Sequence, residues 1–390
     1  MKRVRLSLSH IISGFVAVLV GFTSSVLIVF QAAHHAGANP QEMSSWLFAL
    51  GASVGLTSIG FSWFYKQPIL IGWSTPGAAL LATSLTGVSM AEAVAAFIFS
   101  SLLTFIVAAT GLFERLIKMV PNTITSAMLA GILLRFGMDV FNAFQQDIQL
   151  VGLMIFTYLI GRRFSPRYVI VWVLLVGLLD TASRGVFSLE HFGWDFSTPI
   201  FTKPAFQLST LISIGIPLAV VTMTSQYMPG LGVLHSAGYQ PSVTPIVSLT
   251  SLANLVFAPF GCFSISLAAI TAAICSGAES DNNPRRRYKS TMVAGFFWLL
   301  IAAFGTTVVA IFMAFPKNFV VTIAGLALFN TIGSSLNAAL YHEKDREAAI
   351  ITLLVTASGI HIYGIAAPFW GLIAGIVSLS FLTWHKESLV

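Results

Sequence analysis

Residues 67–81, Gln-Pro-Ile-Leu-Ile-Gly-Trp-Ser-Thr-Pro-Gly-Ala-Ala-Leu-Leu, are apolar enough to enter a membrane and too interrupted to cross it as one helix. Gly72, Pro76 and Gly77 break the run in its middle. Only about eleven residues after Ser74 read as helix, roughly 16 Å at 1.5 Å per residue, or half of a ~30 Å hydrocarbon core. Ser74 and Thr75 suit an N-cap, and Pro76 suits the first helical position. Backbone without partners cannot face lipid, so a helix that starts at mid-membrane must line a protein-walled cavity. Such a start aims free N–H groups and a partial positive charge at the cavity. Secondary transporters build anion sites in this way.

Composition agrees with a membrane setting. Of 390 residues, 56% are hydrophobic and 9% charged, against about 25% charged in soluble domains. The length is taken up by spans, and no soluble domain is expected. Met1-Lys-Arg-Val-Arg5 leads into an apolar stretch without a small-residue cleavage site, which reads as an uncleaved first helix. Of the 20 Lys and Arg, all but Arg135, Arg184, Lys203 and Lys317 fall on one side of the expected spans. The positive-inside rule then puts both termini in the cytoplasm. The net charge of +6 is therefore a topology signal, and no nucleic-acid partner is expected. Cys262 and Cys275 share one apolar segment; if it is helical they are about 20 Å apart, too far for a disulfide.

Apolar runs and their punctuation predict an all-α polytopic protein of fourteen transmembrane segments. The first seven are 9–33, 44–64, 68–87 (broken), 91–113, 120–140, 148–162 and 167–184. A polar linker, 185–207, precedes 208–228, 241–258, 259–277 (broken), 287–314, 317–340, 347–360 and 362–384. Three matches in register suggest that 1–184 and 208–390 are repeats. Gly37-Ala-Asn-Pro40 follows segment 1 and Gly238-Tyr-Gln-Pro241 follows segment 8. Segments 5 and 12 open at Pro121 and Pro316 and reach Ala130-Gly131 and Ala324-Gly325. Seven is odd, so the second copy is inverted, and the broken segments 3 and 10 meet near the midplane as two half-helices.

In segment 10, Pro259 and Gly261 break the chain and helix is expected to resume near Ser264. A Pro-kinked continuous span is the other reading. In segment 8, Gln226 needs hydrogen-bond partners inside a span, either a ligand carboxylate or a neighbouring helix. Ser24, Ser25 and Gln31 on segment 1 are ligand contacts or packing residues. Intramembrane ionisable groups are functional suspects. Glu92, Asp139, Asp180 and His361 lie near expected span ends, however, and Arg135 is spaced to pair with Asp139 on one helix face. Segments 3, 8 and 10 hold no acidic side chain. No P-loop, Gly-x-Ser-x-Gly elbow, zinc-protease helix or nucleophile–base pair is present, so no enzyme is expected. Gly371-Leu-Ile-Ala-Gly375 is a small-xxx-small helix-packing pattern.

Ser74-Thr-Pro-Gly-Ala-Ala-Leu-Leu81, Ala130-Gly-Ile-Leu-Leu-Arg-Phe-Gly137, Pro259-Phe-Gly261, Leu267-Ala-Ala-Ile-Thr-Ala-Ala-Ile-Cys275 and Phe369-Trp-Gly-Leu-Ile-Ala-Gly375 resemble the benzoate:proton symporter (BenE) family over essentially the whole chain. The resemblance implies the uracil/sulfate-transporter-like fold, a 7+7 inverted repeat. Its core domain would be about 9–113 and 208–314, and its gate domain about 120–184 and 317–384. Homodimerisation is a fold-level analogy. Where benzoate members carry Gly-Gly-His-x-x-Asn in segment 10, this chain has Gly261, Cys262, Phe263 and Ser266. In segment 8, their Ser-Gln-Asn is Ser225-Gln226-Tyr227 here.

Residues and resemblance together lead to a proton-coupled secondary transporter of a small aromatic carboxylate such as benzoate. Its carboxylate would bind half-helix starts at Thr75, Pro76 and Gly77 and at Ser264–Ser266, with Ser74 capping. Trp73 and Phe263 would pack on the ring, with Ser225, Gln226, Cys262 and Ser24 alongside. No cofactor is expected beyond the proton as coupling ion. The rivals are a nucleobase or inorganic-anion carrier on the same fold, or a channel-like anion pathway.

Overall fold

The computed structural model describes residues 6–113, 121–185, 195–363 and 365–387. Lys2, Arg3, Arg5, Arg115, Lys118 and part of the 185–207 linker lie outside the described residues, as does the Ser24 side chain. The chain is mostly helical. Among the described residues, six helices are long and apolar enough to cross a membrane, or up to eight if each of two bent pairs counts as one span. Helix α1 (Leu8–His35) is one such pair, bent by 41° between Thr23 and Ser25. The other joins α11 (Tyr288–Ala303) to α12 (Gly305–Met313) through a 71° bend. A side chain at Gly305 would strike Ser197 and the Ser44 carbonyl, so the bend sits where two other segments press on the helix.

The unbroken spans are α2 (Pro40–Tyr65), α4 (Met90–Ala109), α5 (Asn122–Gln146), α8 (Leu208–His235), α9 (Val243–Phe257) and α13 (Lys317–Leu340). Shorter helices are α3 (Thr75–Ser84), α6 (Ile148–Phe164), α7 (Val169–Ser183), α10 (Ile270–Ser276) and α14 (Arg346–Ala357), with α15 (Ala367–Glu387) closing the described chain. Local chemistry sets the starts: Asn39 with Glu42, and Ser89 with Glu92, form reciprocal capping boxes on α2 and α4. Glu92 is thus a capping group.

Where segments 3 and 10 break, the chain is extended rather than helical. Strand β1 (Ile71–Trp73) pairs antiparallel with β2 (Ile265–Leu267), matching Ile71 to Leu267, Gly72 to Ser266 and Trp73 to Ile265. Helix therefore does not resume at Ser264. It resumes at Ile270, because Ser264–Leu267 is spent on the ladder. The cysteines consequently share no continuous helix; both are free and buried.

One further expectation changes. Arg135 makes no ion pair with Asp139, whose carboxylate instead accepts from Asn142 Nδ2 at 3.2 Å. Asp180 pairs with Arg184 at 3.2 Å and accepts from Gln149 at 2.9 Å. The Gly371/Gly375 face is consumed within the chain, since side chains at those positions would strike Thr356 and Thr352 of α14. Residues 195–206 form a strap. Ser197 donates to Ala303, Thr202 to Pro259 and Ala205 to Ala91, while Ser45 Oγ accepts from the Ile200 amide and donates to the Phe260 carbonyl.

Candidate functional site at the strand crossing

Two three-residue strands deep in an apolar bundle leave polar edges that must be satisfied inside the protein. The paired inner edge extends one residue each way, with Ser74 N–H to Ser264 O at 3.0 Å and Ala268 N–H to Leu70 O at 2.9 Å. On the outer edges, helix side chains supply the partners. The Ile71 amide donates to Ser58 Oγ of α2 at 3.0 Å, and the Ile265 amide to Asn254 Oδ1 of α9, also at 3.0 Å. Asn254 Oδ1 additionally accepts from the Cys262 thiol. Thr222 and Ser264 hydroxyls meet at 2.8 Å, tying α8 to the strand. Asn254, Ser58 and Thr222 were missed by sequence reasoning. A lone Asn in the apolar last turn of α9 was the one available signal.

Helix α3 starts directly off β1. Ser74 is its N-cap, the side chain accepting from the Gly77 amide at 3.0 Å, and Pro76 brings no N–H. That leaves the Thr75 amide and hydroxyl with no partner among the described residues, on a half-buried side chain. Gly77 marks a close approach: a Cβ there would lie 2.9 Å from Leu218 of α8 and 2.8 Å from Ser74 Oγ.

Helix α8 changes winding where it passes the crossing. Met223–Tyr227 is a five-residue π-helical turn, a feature that recurs at functional sites. Ser225 and Gln226 sit in it, half-buried, with no side-chain hydrogen bond among the described residues. The turn packs on β2 and α5, and the residues just before it pack on α3. The Ser266 hydroxyl, opposite Gly72, is fully buried and also has no hydrogen-bond partner among the described residues.

The remaining sequence candidates face the protein interior. Trp73 Nε1–H donates to Ser25 Oγ at 2.7 Å, and its ring meets Trp298 edge-on at 4.7 Å. Phe263 is fully buried against Trp46 and Phe97, at 6.1 and 6.2 Å between ring centres. Cys262 is fully buried beside it. The crossing thus gathers uncharged donors in an apolar frame, and no group of three or more His, Cys, Asp or Glu that could hold a metal occurs among the described residues.

The profile of the BenE family, benzoate membrane transport protein, matches residues 4–381. The chain belongs to the BenE family. BenE-family relatives match nearly end to end. Inner membrane protein YdcO of Escherichia coli (strain K12) is 40% identical over 365 residues, covering 94% of this chain and 93% of the relative. The benzoate membrane transport protein of Acinetobacter baylyi (strain ATCC 33305 / BD413 / ADP1) is 37% identical over 382 residues, 98% and 97% of the two chains. Among solved structures, the transmembrane domain of the cyanobacterial bicarbonate transporter BicA aligns with a TM-score of 0.59 at 11% identity, over 95% of this chain and 97% of that one. Murine solute carrier 26 family member A9, an anion transporter in its inward-facing state, aligns at 0.57 and 11% identity, over 99% and 70%. These likenesses establish the fold. This BenE-family chain is a multi-pass inner-membrane transport protein, not an enzyme.

Proposed function

We propose that the protein carries a small aromatic carboxylate, such as benzoate, by proton-coupled symport with alternating access. The observation that carries this reading is the open donor set at the strand crossing. A carboxylate presents about four lone-pair sites. At the crossing, the Thr75 amide, the Thr75, Ser225 and Ser266 hydroxyls and the Gln226 amide group are donors without partners among the described residues, and the positive end of α3 lies among them. The Ser264 and Ser266 hydroxyls line the adjoining strand. Ser74, Pro76 and Gly77 shape the helix start, and Trp73 braces it through its hydrogen bond to Ser25. Phe263 and Cys262 support the frame from behind, with Ser24 on the neighbouring helix. With no acid on α3, α8 or β2–α10, the site suits an anion whose proton binds elsewhere or travels on the neutral acid.

On this reading the chain forms fourteen segments in two inverted repeats, 1–184 and 208–390, joined by the external linker 185–207, with both termini cytoplasmic. The core (about 9–113 and 208–314) moves against the gate (about 120–184 and 317–384), in a monomer or a homodimer. Labelled benzoate uptake into proteoliposomes tests it, after subtraction of passive benzoic acid entry. Saturable accumulation driven by an inward proton gradient is expected, competed by benzoate analogues and not by uracil or sulfate. Gln226→Leu should cut the transport efficiency roughly tenfold, the worth of one hydrogen bond of ~1.4 kcal/mol. Uptake competed only by uracil or sulfate would replace benzoate with those substrates.

A further inference from the structure

A cavity of about 730 Å³ opens at the end of the bundle where α1 and α3 finish, between those helices and α5 with the start of α13. Its volume lies within the range of organic-ligand pockets, about 300–1,000 Å³. Phe30, Phe136 and Phe315 give it an aromatic wall. Its formal charge is net positive, with Arg135 and Lys317 against a single acid, Asp139, and the imidazoles of His34 and His35 line the same wall. His35 donates its Nδ1–H to the Ala82 carbonyl in the last turn of α3, which fixes that ring in place. Arg135 and Lys317 make no ion pair among the described residues, although Asp139 is four residues from Arg135. An exposed guanidinium that lines a cleft and makes no ion pair among the described residues is a ready partner for an incoming carboxylate.

A second observation points to the same place. Arg135 also lines an adjoining pocket of about 60 Å³ together with Ser84 and Thr356. Those two side chains are only 3% and 5% exposed, and neither hydroxyl has a hydrogen-bond partner among the described residues. Buried hydroxyls without partners are costly, so these two invite a ligand or water that can bond to them. A pocket of this size takes a water or two, each of which occupies about 30 Å³ in the liquid, or a carboxylate group. It has no room for an aromatic ring.

We propose that the cleft is an entry subsite for aromatic carboxylates. The ring rests against Phe30, Phe136 and Phe315, and the carboxylate bonds to Arg135 with Ser84 and Thr356 behind it. Lys317 at the rim draws the anion in. The subsite rests on the transport reading above, but it is separate from the strand crossing and carries charge where the crossing has none. Its function is capture at low concentration, after which the ligand passes along α3 to Thr75.

The test is the concentration dependence of initial benzoate uptake in proteoliposomes. Arg135→Gln should raise KM roughly tenfold, one charge-assisted hydrogen bond of ~1.4 kcal/mol, with Vmax within about twofold. Arg135→Lys should recover part of the loss, and Lys317→Gln should raise KM by a smaller factor. Inhibition by neutral benzamide should be the same in wild type and Arg135→Gln. A KM unchanged in Arg135→Gln and Lys317→Gln, or a fall in Vmax alone, overturns the subsite while leaving the carrier standing. If wild type takes up no benzoate, the transport reading fails instead. Equilibrium binding of labelled benzoate to the purified protein then decides the subsite: weakening by Arg135→Gln upholds it, and equal or absent binding overturns it.

Discussion

Gly261 shows how much a single residue constrains here. Its φ is +102°, which favours glycine, and a Cβ at that position would land on the Trp46 indole. Trp46 in turn packs edge-on against Phe97 at 5.4 Å. Gly261→Ala should therefore add left-handed strain of ~1–2 kcal/mol and overpacking of ~1–3 kcal/mol. A fall of several degrees in the thermal unfolding midpoint in detergent is expected. An unchanged midpoint would mean that Trp46 can swing away freely. Residues of this kind were half legible. Pro259 and Gly261 stand out as helix breakers in the sequence itself, but the indole that makes Gly261 obligatory comes from α2, in the other half of the chain. Gln226 stood out as a polar group in a span, whereas the π-helical turn in which it sits depends on how α8 packs.

Among elements, α3 was the most legible because its signals are local: Ser74 as cap, Pro76 in the first turn, and a short apolar run. The strands were not legible. Three residues are too few to show a period of two, and β1 and β2 exist because each supplies the other's partners while Ser58 and Asn254 close the outer edges. The same limit explains why helix was expected from Ser264. The connection from α5 through α6 to α7 adds a charge clamp. Arg184 bonds Asp147, the α6 N-cap, at 2.6 Å, and this guanidinium, helped by the Leu150 amide, holds the Asp147 carboxyl below the usual range. A lowered folded pKa stabilises above the ordinary carboxylate value of about 3.9 and is lost as pH falls through the folded one. Arg184→Ala should thus cost up to about 1 kcal/mol at neutral pH. Thermal unfolding of wild type and variant should converge as the pH is taken below about 4; a constant gap would assign the loss to packing.

For the whole molecule, the family was legible because its landmark stretches run from Ser74 to Gly375, and fold neighbours at 11% identity share the architecture without the sequence. The linker strap and the strand pairing both join the first half to the second, so neither half should be complete alone. Residues 1–184 expressed by themselves should be degraded in the membrane, and coexpression with 185–390, which carries the strap and β2, should restore protease resistance. Equal resistance without the second half would show that β1 needs no partner. The pairing also sets a timetable. Ile71 leaves the ribosome roughly 200 residues before Leu267, or about 10–40 s at 5–20 residues per second. Throughout that wait the edge of β1 that will meet β2 is bare, and hydrocarbon offers it nothing to bond. Only Ser58, already made, can hold the Ile71 amide. The nascent first half must therefore linger in a wet or chaperoned site, which makes the rate of translation across α4–α9 a determinant of how much protein survives assembly.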